Sequence, residues 1–474
     1  MLFNSYTFAI FFSLVVITYY SIKPWRGRKI FLLVVSYIFY AVWNPPFVIL
    51  LWISTIADWQ FSKSIANAKQ SASKQIFLIA SLVVNLGLLG FFKYGNFILE
   101  NTILLLNTIG IEYNPPPADI ILPVGISFYT FQTLSYTLDI YFGKTKPWHS
   151  FLDFALYVTF FPQLVAGPIV RSDDFLQQCE SKKIFVWSNL GWGLSLITLG
   201  LFQKVVIADA LLAPVTESLY SVSGIPSFTA AWGGSLAFTG QIFCDFAGYS
   251  TCAIGTAICL GFTLPRNFHF PYAAVGFSDF WRRWHITLST WLRDYLYIPL
   301  GGNRQSNLRT QINLMITMLL GGLWHGAAWT FVIWGGLHGI YLVVERYLKK
   351  ILGHQVIWKF SGVRLLLALF TFALTCLTWV FFRANSFTQA LNIIRAMFNL
   401  SSQPAIINIS KQSLLTTVAI ILAMLGIHLL FRDKSLEEIT KSFPWWVTSL
   451  ALTAMLYAIA TLHAEDRSFI YFQF

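Results

Sequence analysis

Two histidines, His285 and His325, stand in a chain otherwise composed for lipid, and each has a setting suited to moving a proton. His285 closes the run Trp281-Arg-Arg-Trp-His285, and His325 lies in Gly321-Gly-Leu-Trp-His325-Gly326, with the turn-like Leu300-Gly-Gly-Asn-Arg304 between them. Imidazole exchanges a proton near neutral pH without carrying a permanent charge. An ionised group at the centre of a membrane helix costs about 2.5–3.5 kcal/mol on insertion scales, so a polar side chain in an apolar stretch is read first as functional. Apolar surroundings favour the neutral imidazole, which can then accept a proton, and this suits His325 to act as general base on a hydroxyl. The flanking glycines allow close backbone approach and leave room for a flexible chain. The competing reading for a histidine on an apolar face is a core side chain bonded to a backbone carbonyl. For His285, the nearness of His325 and of the Gly-Gly-Asn-Arg turn weighs against that reading.

Other chemistries find less support. His338 follows thirteen residues after His325 in Trp334-Gly-Gly-Leu-His338, but a zinc site needs a third ligand and a carboxylate at ligand spacing, which the region lacks. No metal is expected. No G-x-S-x-G elbow is present for a Ser–His–Asp triad. The five cysteines, Cys179, Cys244, Cys252, Cys259 and Cys376, show no CxxC spacing and read as small buried hydrophobes. His149, His269 and His354 occupy loop-like positions and carry no functional expectation.

The elements that must position these groups follow from composition. Of 474 residues, 56% are hydrophobic and only 11% charged, against roughly 25% in a soluble domain. The chain therefore reads as an all-α polytopic membrane protein. Lys and Arg outnumber Asp and Glu by 32 to 20, an excess read as topology because basic residues stay on the cytoplasmic side. Nucleic acid is excluded as a partner, since no basic cluster stands on a soluble domain. Apolar runs predict helices near 5–22, 29–43, 46–61, 76–92, 96–110, 119–142, 188–212, 228–262, 328–347, 363–382, 412–431 and 445–463, for roughly ten to twelve crossings. The first run lacks a basic segment before it and precedes Lys23, Arg26, Arg28 and Lys29, which predicts a retained helix with its N-terminus outside. Lys144 with Lys146, Arg346 with Lys349 and Lys350, and Arg432 with Lys434 fit cytoplasmic turns. With no repeat and no long hydrophilic stretch, residues 1–474 read as one membrane domain.

Phe160–Arg171, with Pro162, Gly167 and Pro168, and the short Leu314–His325 predict re-entrant elements, because irregular backbone survives at membrane depth only when buried in protein. From Asp279 to Tyr297 a helical wheel puts Trp281, Trp284, His285, Leu288, Trp291, Leu292 and Tyr295 on one face. Arg282, Arg283, Thr290, Arg293 and Asp294 fall opposite, as in a basic helix lying along the interface. Its arginines read as headgroup anchors, or alternatively as holders of a phosphate-bearing donor. Asp139 and Asp245 lie in apolar runs and read mainly as structural acids.

Over most of its length the chain resembles the membrane-bound O-acyltransferase family, in its bacterial alginate-O-acetylation branch. The resemblance is carried by Phe128-Tyr-Thr-Phe-Gln-Thr-Leu-Ser-Tyr136, Phe161-Pro-Gln-Leu-Val-Ala-Gly-Pro168-Ile-Val-Arg171, Asp245-Phe-Ala-Gly-Tyr-Ser250, Phe280-Trp-Arg-Arg-Trp-His285-Ile-Thr-Leu-Ser-Thr-Trp-Leu-Arg-Asp-Tyr295 and Gly322-Leu-Trp-His325-Gly326. It departs at Thr251, where many relatives carry an acid, and at Cys244, where an aromatic is common. The resemblance implies a ring of transmembrane helices around a thin core of re-entrant and interfacial helices, with His325 catalytic and His285 the second functional position. Trp324, Arg283, Arg304, Gln163 and Asp245 are the candidates for substrate binding. It also implies an acyl thioester donor on the cytoplasmic side and an acceptor reached from outside. The expected activity is O-acetyl transfer at a bacterial plasma membrane, from acetyl-CoA and with no bound cofactor. The expected acceptor is an extracytoplasmic polysaccharide, reached directly or through a periplasmic acetyltransferase partner. D-alanyl transfer to teichoic acid from a carrier-protein thioester, and transport without chemistry, are the alternatives.

Overall fold

The structure is a computed structural model that describes residues 1–113, 115–116, 120–165, 167–222, 224–353, 358, 360–400, 407, 409–462, 467 and 469–470. Among these, every regular element is a helix. Backbone N–H and C=O groups find no partner in lipid, so an apolar chain must satisfy them within each segment, which a helix does. Five helices are long and apolar enough to cross a membrane: Ser71–Thr108, Trp187–Tyr220, Phe228–Cys259, Ser361–Arg383 and Lys411–Leu430. Leu436–Ser442 and Trp445–Thr461, bent by 119°, make a sixth if they act together. The protein is a multi-pass, all-α membrane protein.

Several expected elements change in extent. The runs near 76–92 and 96–110 form one helix of 38 residues, Ser71–Thr108, because the lone Gly95 between them is tolerated and no proline intervenes. The expected helix at 188–212 extends to Tyr220 through a π-helical stretch, Phe202–Leu212. Leu314–His325 is the end of a longer helix, Asn307–His325, started by a Ser306 side chain that accepts the Arg309 N–H. Position 119, position 463 and His354 lie outside the described residues. The five cysteines are buried, and none of them forms a disulfide.

The chain divides into two compact units. One comprises Met1–Leu194 with Ala253–Pro265, and the other Ser195–Cys252 with Arg266–Phe474. In the first, three helices are joined by a buried polar knot. Asp58 of Val48–Asn67 accepts from Ser81 and Asn85 of Ser71–Thr108, at 2.5 and 2.8 Å, and from Thr137 of Ile126–Tyr141 at 3.3 Å. Three donors compensate one buried carboxylate, so the knot serves packing. The broken backbone expected over Phe160–Arg171 is present: Phe151–Thr159 ends before it, Phe161–Leu164 is a single short helix, and no regular element is assigned at 167–171.

The second unit is organised by a helical hairpin, Asn307–His325 and Trp329–Leu352. The two helices cross where glycine meets glycine. A Cβ on Gly322 would lie 2.3 Å from the Phe331 carbonyl oxygen, and one on Gly335 would lie 2.2 Å from that of Met318. Neither backbone can carry a side chain there, and small residues at such crossings let membrane helices approach closely. Gly335→Ala is expected to destabilise the folded protein by about 1–3 kcal/mol through forced separation of the hairpin. Gly336→Ala, whose Cβ would meet only Leu319 at an ordinary 3.4 Å, is expected to be nearly neutral. Thermal unfolding of the two variants in detergent checks this.

Candidate active site

The chain does not run as one helix from Asp279 to Tyr297. Phe277–Phe280 ends in a turn, Ile286–Leu292 follows, and Arg293–Tyr297 is π-helical. The break is at His285, which has left-handed backbone, φ 42° and ψ 53°. Such a conformation in a residue with a side chain costs of order 1–3 kcal/mol and persists only where surroundings enforce it. Here a neighbouring segment does so. The His269 N–H donates to the Arg283 carbonyl and the Ile286 N–H to the Asn267 carbonyl, both at 2.9 Å. Most of the expected apolar face survives the break: Trp281, Trp284, His285, Leu288, Trp291 and Leu292 are buried, while Tyr295 is half-buried.

Asn267 fixes the His285 ring. Its Oδ1 lies 3.0 Å from His285 Nδ1 and also accepts the Thr287 N–H and hydroxyl, at 3.3 and 2.9 Å. Three donors converge on one amide oxygen, so Nδ1 carries the proton and Nε2 presents a lone pair. That Nε2 is buried and has no hydrogen-bond partner among the described residues. Phe246 meets the ring edge-on with centroids 4.7 Å apart.

His325 is the last residue of its helix, 2% exposed, and its ring centroid lies 6.2 Å from that of His285. Trp324 touches both rings, at 5.9 Å from His285 and 5.1 Å from His325. Trp334 at 5.0 Å and Phe382 at 5.4 Å complete an aromatic wall around His325. Two imidazoles in a water-poor aromatic enclosure can pass a proton to or from a hydroxyl without competing hydration.

The other candidates have different surroundings. Arg283 is buried rather than exposed on a polar helix face: its guanidinium binds Asp279 at 2.9 Å, Asp433 at 2.8 Å and the Arg432 carbonyl at 2.6 Å. Arg304 is exposed, in a turn where Gly301 and Gly302 take positive φ of 109° and 56°. The Gly302 carbonyl of that turn is anchored by Asn313 at 3.1 Å. Asp245 is buried, paired with Lys204, and accepts the Ile470 N–H at 2.9 Å; Lys204 also binds Asp209 at 3.0 Å. Gln163 belongs to the first unit, where it is buried and donates to the Tyr157 carbonyl at 2.7 Å. The structure thus assembles His285, His325 and Trp324. Arg283 and Asp245 are engaged in ion pairs.

Sequence reasoning missed Asn267, Trp334 and Phe382, which come from three separate segments with no shared spacing. It also missed a cavity of about 670 Å³ beside the site in the second unit. Arg282, Arg293, Arg346 and Lys349 contribute cations to its lining, against Glu345, and Ser289 and Thr290 contribute hydroxyls. Arg293 pairs with Asp294 and Lys349 with Glu345, while Arg282 and Arg346 have no ion-pair partner among the described residues. Met318, Leu342 and Trp281 form an apolar portion of the lining. Among the described residues no cluster of metal-ligating side chains occurs.

Two predictions follow from these contacts. Asn267→Leu leaves the buried His285 Nδ1–H without its acceptor, a loss of about 1–3 kcal/mol, and is expected to reduce turnover at least tenfold. Catalytic turnover by the folded variant checks it. Burial alone would raise the carboxyl pKa of Asp279, but the Val275 N–H and the guanidiniums of Arg283 and Arg432 outweigh it and hold it below the ordinary value. Its stabilising contribution is full above about pH 3.9 and is lost as pH falls through the lowered folded value. Asp279→Asn is expected to lower the melting temperature at pH 7 and to flatten its fall toward pH 3, measured as a pH series in detergent.

Comparison with known proteins bears directly on this arrangement. The model of the membrane-bound O-acyltransferase family matches residues 147–377, which include both histidines, Asn267 and the hairpin. The probable alginate O-acetylase of Azotobacter vinelandii is 40% identical over 400 residues, covering 84% of this chain and 78% of that protein. The peptidoglycan O-acetyltransferase of Helicobacter pylori is 38% identical over 411 residues, 81% and 76% of the two chains. The teichoic acid D-alanyltransferase of Bacillus subtilis is 30% identical over 255 residues, half of this chain and 62% of its own. The buried histidine pair, its aromatic enclosure and these matches together place the chain in the membrane-bound O-acyltransferase family, as an O-acyltransferase.

Proposed function

We propose that this protein transfers acetyl groups from acetyl-CoA to hydroxyls of an extracytoplasmic polysaccharide at a bacterial plasma membrane, directly or through a periplasmic acetyltransferase partner. The observation that carries the reading is the buried pair His285 and His325, 6.2 Å apart, with Trp324 against both. The names of the relatives that cover most of the chain, acting on alginate and peptidoglycan, supply the acceptor class and the acetyl group.

In this reading the cationic cavity takes the phosphates of the donor. Its Glu345, Arg346 and Lys349 lie near the basic end of Trp329–Leu352, which the positive-inside rule assigns to the cytoplasm. His325 lies at the other end of the hairpin, where an acceptor approaches from outside. His325 takes the proton of the acceptor hydroxyl as its oxygen attacks the thioester carbonyl. The tetrahedral intermediate collapses, the C–S bond breaks, and the departing thiolate leaves as the thiol after taking that proton from the imidazolium. His285, held by Asn267, supports the donor through Nε2. A general base of this kind contributes about 10²–10⁴-fold to rate.

Release of CoA from acetyl-CoA by the purified protein in nanodiscs tests the proposal. His325→Ala is expected to lose at least a hundredfold in turnover while remaining folded, and Arg346→Glu to raise KM with kcat little changed. Undiminished release by His325→Ala would overturn the assignment of the base. Consumption of a D-alanyl carrier-protein thioester, with acetyl-CoA untouched, would replace acetyl by D-alanyl transfer.

A further inference from the structure

A third buried histidine, His338, has geometry that the acid–base pair does not account for. It is fully buried on Trp329–Leu352, thirteen residues after His325, with the helix interrupted at Gly326–Ala328 between them. Its Nε2 lies 3.2 Å from the Thr378 hydroxyl oxygen. Thr378 has a single hydroxyl proton, and it donates that proton to the Thr375 carbonyl at 2.8 Å. The oxygen can therefore only accept from the ring, so Nε2 carries the hydrogen and Nδ1 is left with a lone pair. Nδ1 has no partner among the described residues, and the Nε1–H groups of Trp281 and Trp334 also have none. A buried acceptor without a donor is costly, and a phenyl ring would fill the same space without that cost.

The position of these atoms is more telling than their number. His338, Leu342, Glu345 and Lys349 recur at helical spacing along one face of Trp329–Leu352, and the last three line the cationic cavity. His338 is thus the next turn inward from the cavity wall. One further turn inward is Trp334, packed 4.7 Å from His338 on one side and 5.0 Å from His325 on the other. Trp281, itself in the cavity lining, lies 5.2 Å from His338. From the cations to His325 the order is therefore charge, apolar wall, then two indole donors and one imidazole acceptor. Donors and an acceptor side by side complement the C=O and N–H of an amide, and the arm that joins the phosphates of an acyl thioester donor to its sulfur contains amides.

We infer that His338 is a positioning residue that, with Trp281 and Trp334, hydrogen-bonds an amide of the donor's pantetheine arm and so sets where the thioester meets His325. This rests on the donor reading above. The shared chemistry is an acyl-phosphopantetheine, whether in CoA or on a carrier protein.

The test measures kcat and KM for acetyl-CoA and for S-acetyl-pantetheine, which has the arm without the nucleotide, with a D-alanyl carrier-protein thioester as a third donor. His338→Phe is expected to raise KM about tenfold for every donor the wild type uses, with kcat changed less than threefold. His338→Asn, which can place an amide oxygen near the Nδ1 position, is expected to restore most of the affinity. Thr378→Val, which frees the tautomer, is expected to raise KM in the same sense and serves if His338→Phe fails to fold. Arg346→Glu is expected to affect acetyl-CoA more than S-acetyl-pantetheine, which separates the phosphate contact from the arm contact. Unchanged KM in folded His338→Phe or Thr378→Val, or equal losses in the Phe and Asn variants, would overturn the inference while leaving the acyltransfer reading intact. Failure of the wild type to turn over any of the three thioesters would overturn both.

Discussion

Close contact between two glycines sets the geometry on which the site of the second unit depends. At Gly322 and Gly335 the hairpin helices touch backbone to backbone, and no other residue fits either position. That contact sets the axial register of one helix against the other. Register in turn decides that Trp334 meets His325, and that the stripe from Leu342 to Lys349 lines the cavity. Hydrophobic attraction is weak between helices already in lipid, so van der Waals contact at a glycine crossing is a principal source of such precision.

A second constraint is the cost of unsatisfied polar groups in an apolar interior, and the protein meets it unevenly. The Asp58 knot is matched donor for acceptor, as expected of a group that only packs. Lys204 lies between Asp209 and Asp245, and Arg283 is held by two carboxylates and a carbonyl. Around the histidines the matching is one-sided. Among the described residues, His285 is bonded at Nδ1 and has no partner at Nε2, and His338 is bonded at Nε2 and has none at Nδ1. In each case the bonded nitrogen fixes ring orientation and tautomer, and the other is left as an acceptor.

The left-handed backbone at His285 belongs to the same economy of position. A continuous helix would carry the ring along a regular spiral; the break allows Asn267, from a segment eighteen residues earlier, to hold it opposite His325. The basic residues divide by environment as well. Arg282 and Arg346 line the cavity without a carboxylate partner among the described residues, while Arg283, adjacent to one of them in sequence, is a buried structural cation.

Composition together with long continuous apolar runs determined that this is an all-α membrane protein, because such runs must satisfy their backbone within each segment, as a helix does. The types and spacing of residues also marked His285 and His325, since a histidine in an apolar run is expensive enough to stand out in any reading. The apolar face from Trp281 to Leu292 was legible too, as burial follows periodicity even across a broken helix. What only the tertiary structure decided is which partners those residues meet. Asn267, Trp334, Phe382 and Thr378 come from separate segments, and nothing in local periodicity encodes a contact between residues far apart in the chain. The same holds for Arg283, which a helical wheel put on the polar side; it is buried, paired with two aspartates, one of them 150 residues away. Sequence sets what each side chain costs to bury, and packing sets who compensates it.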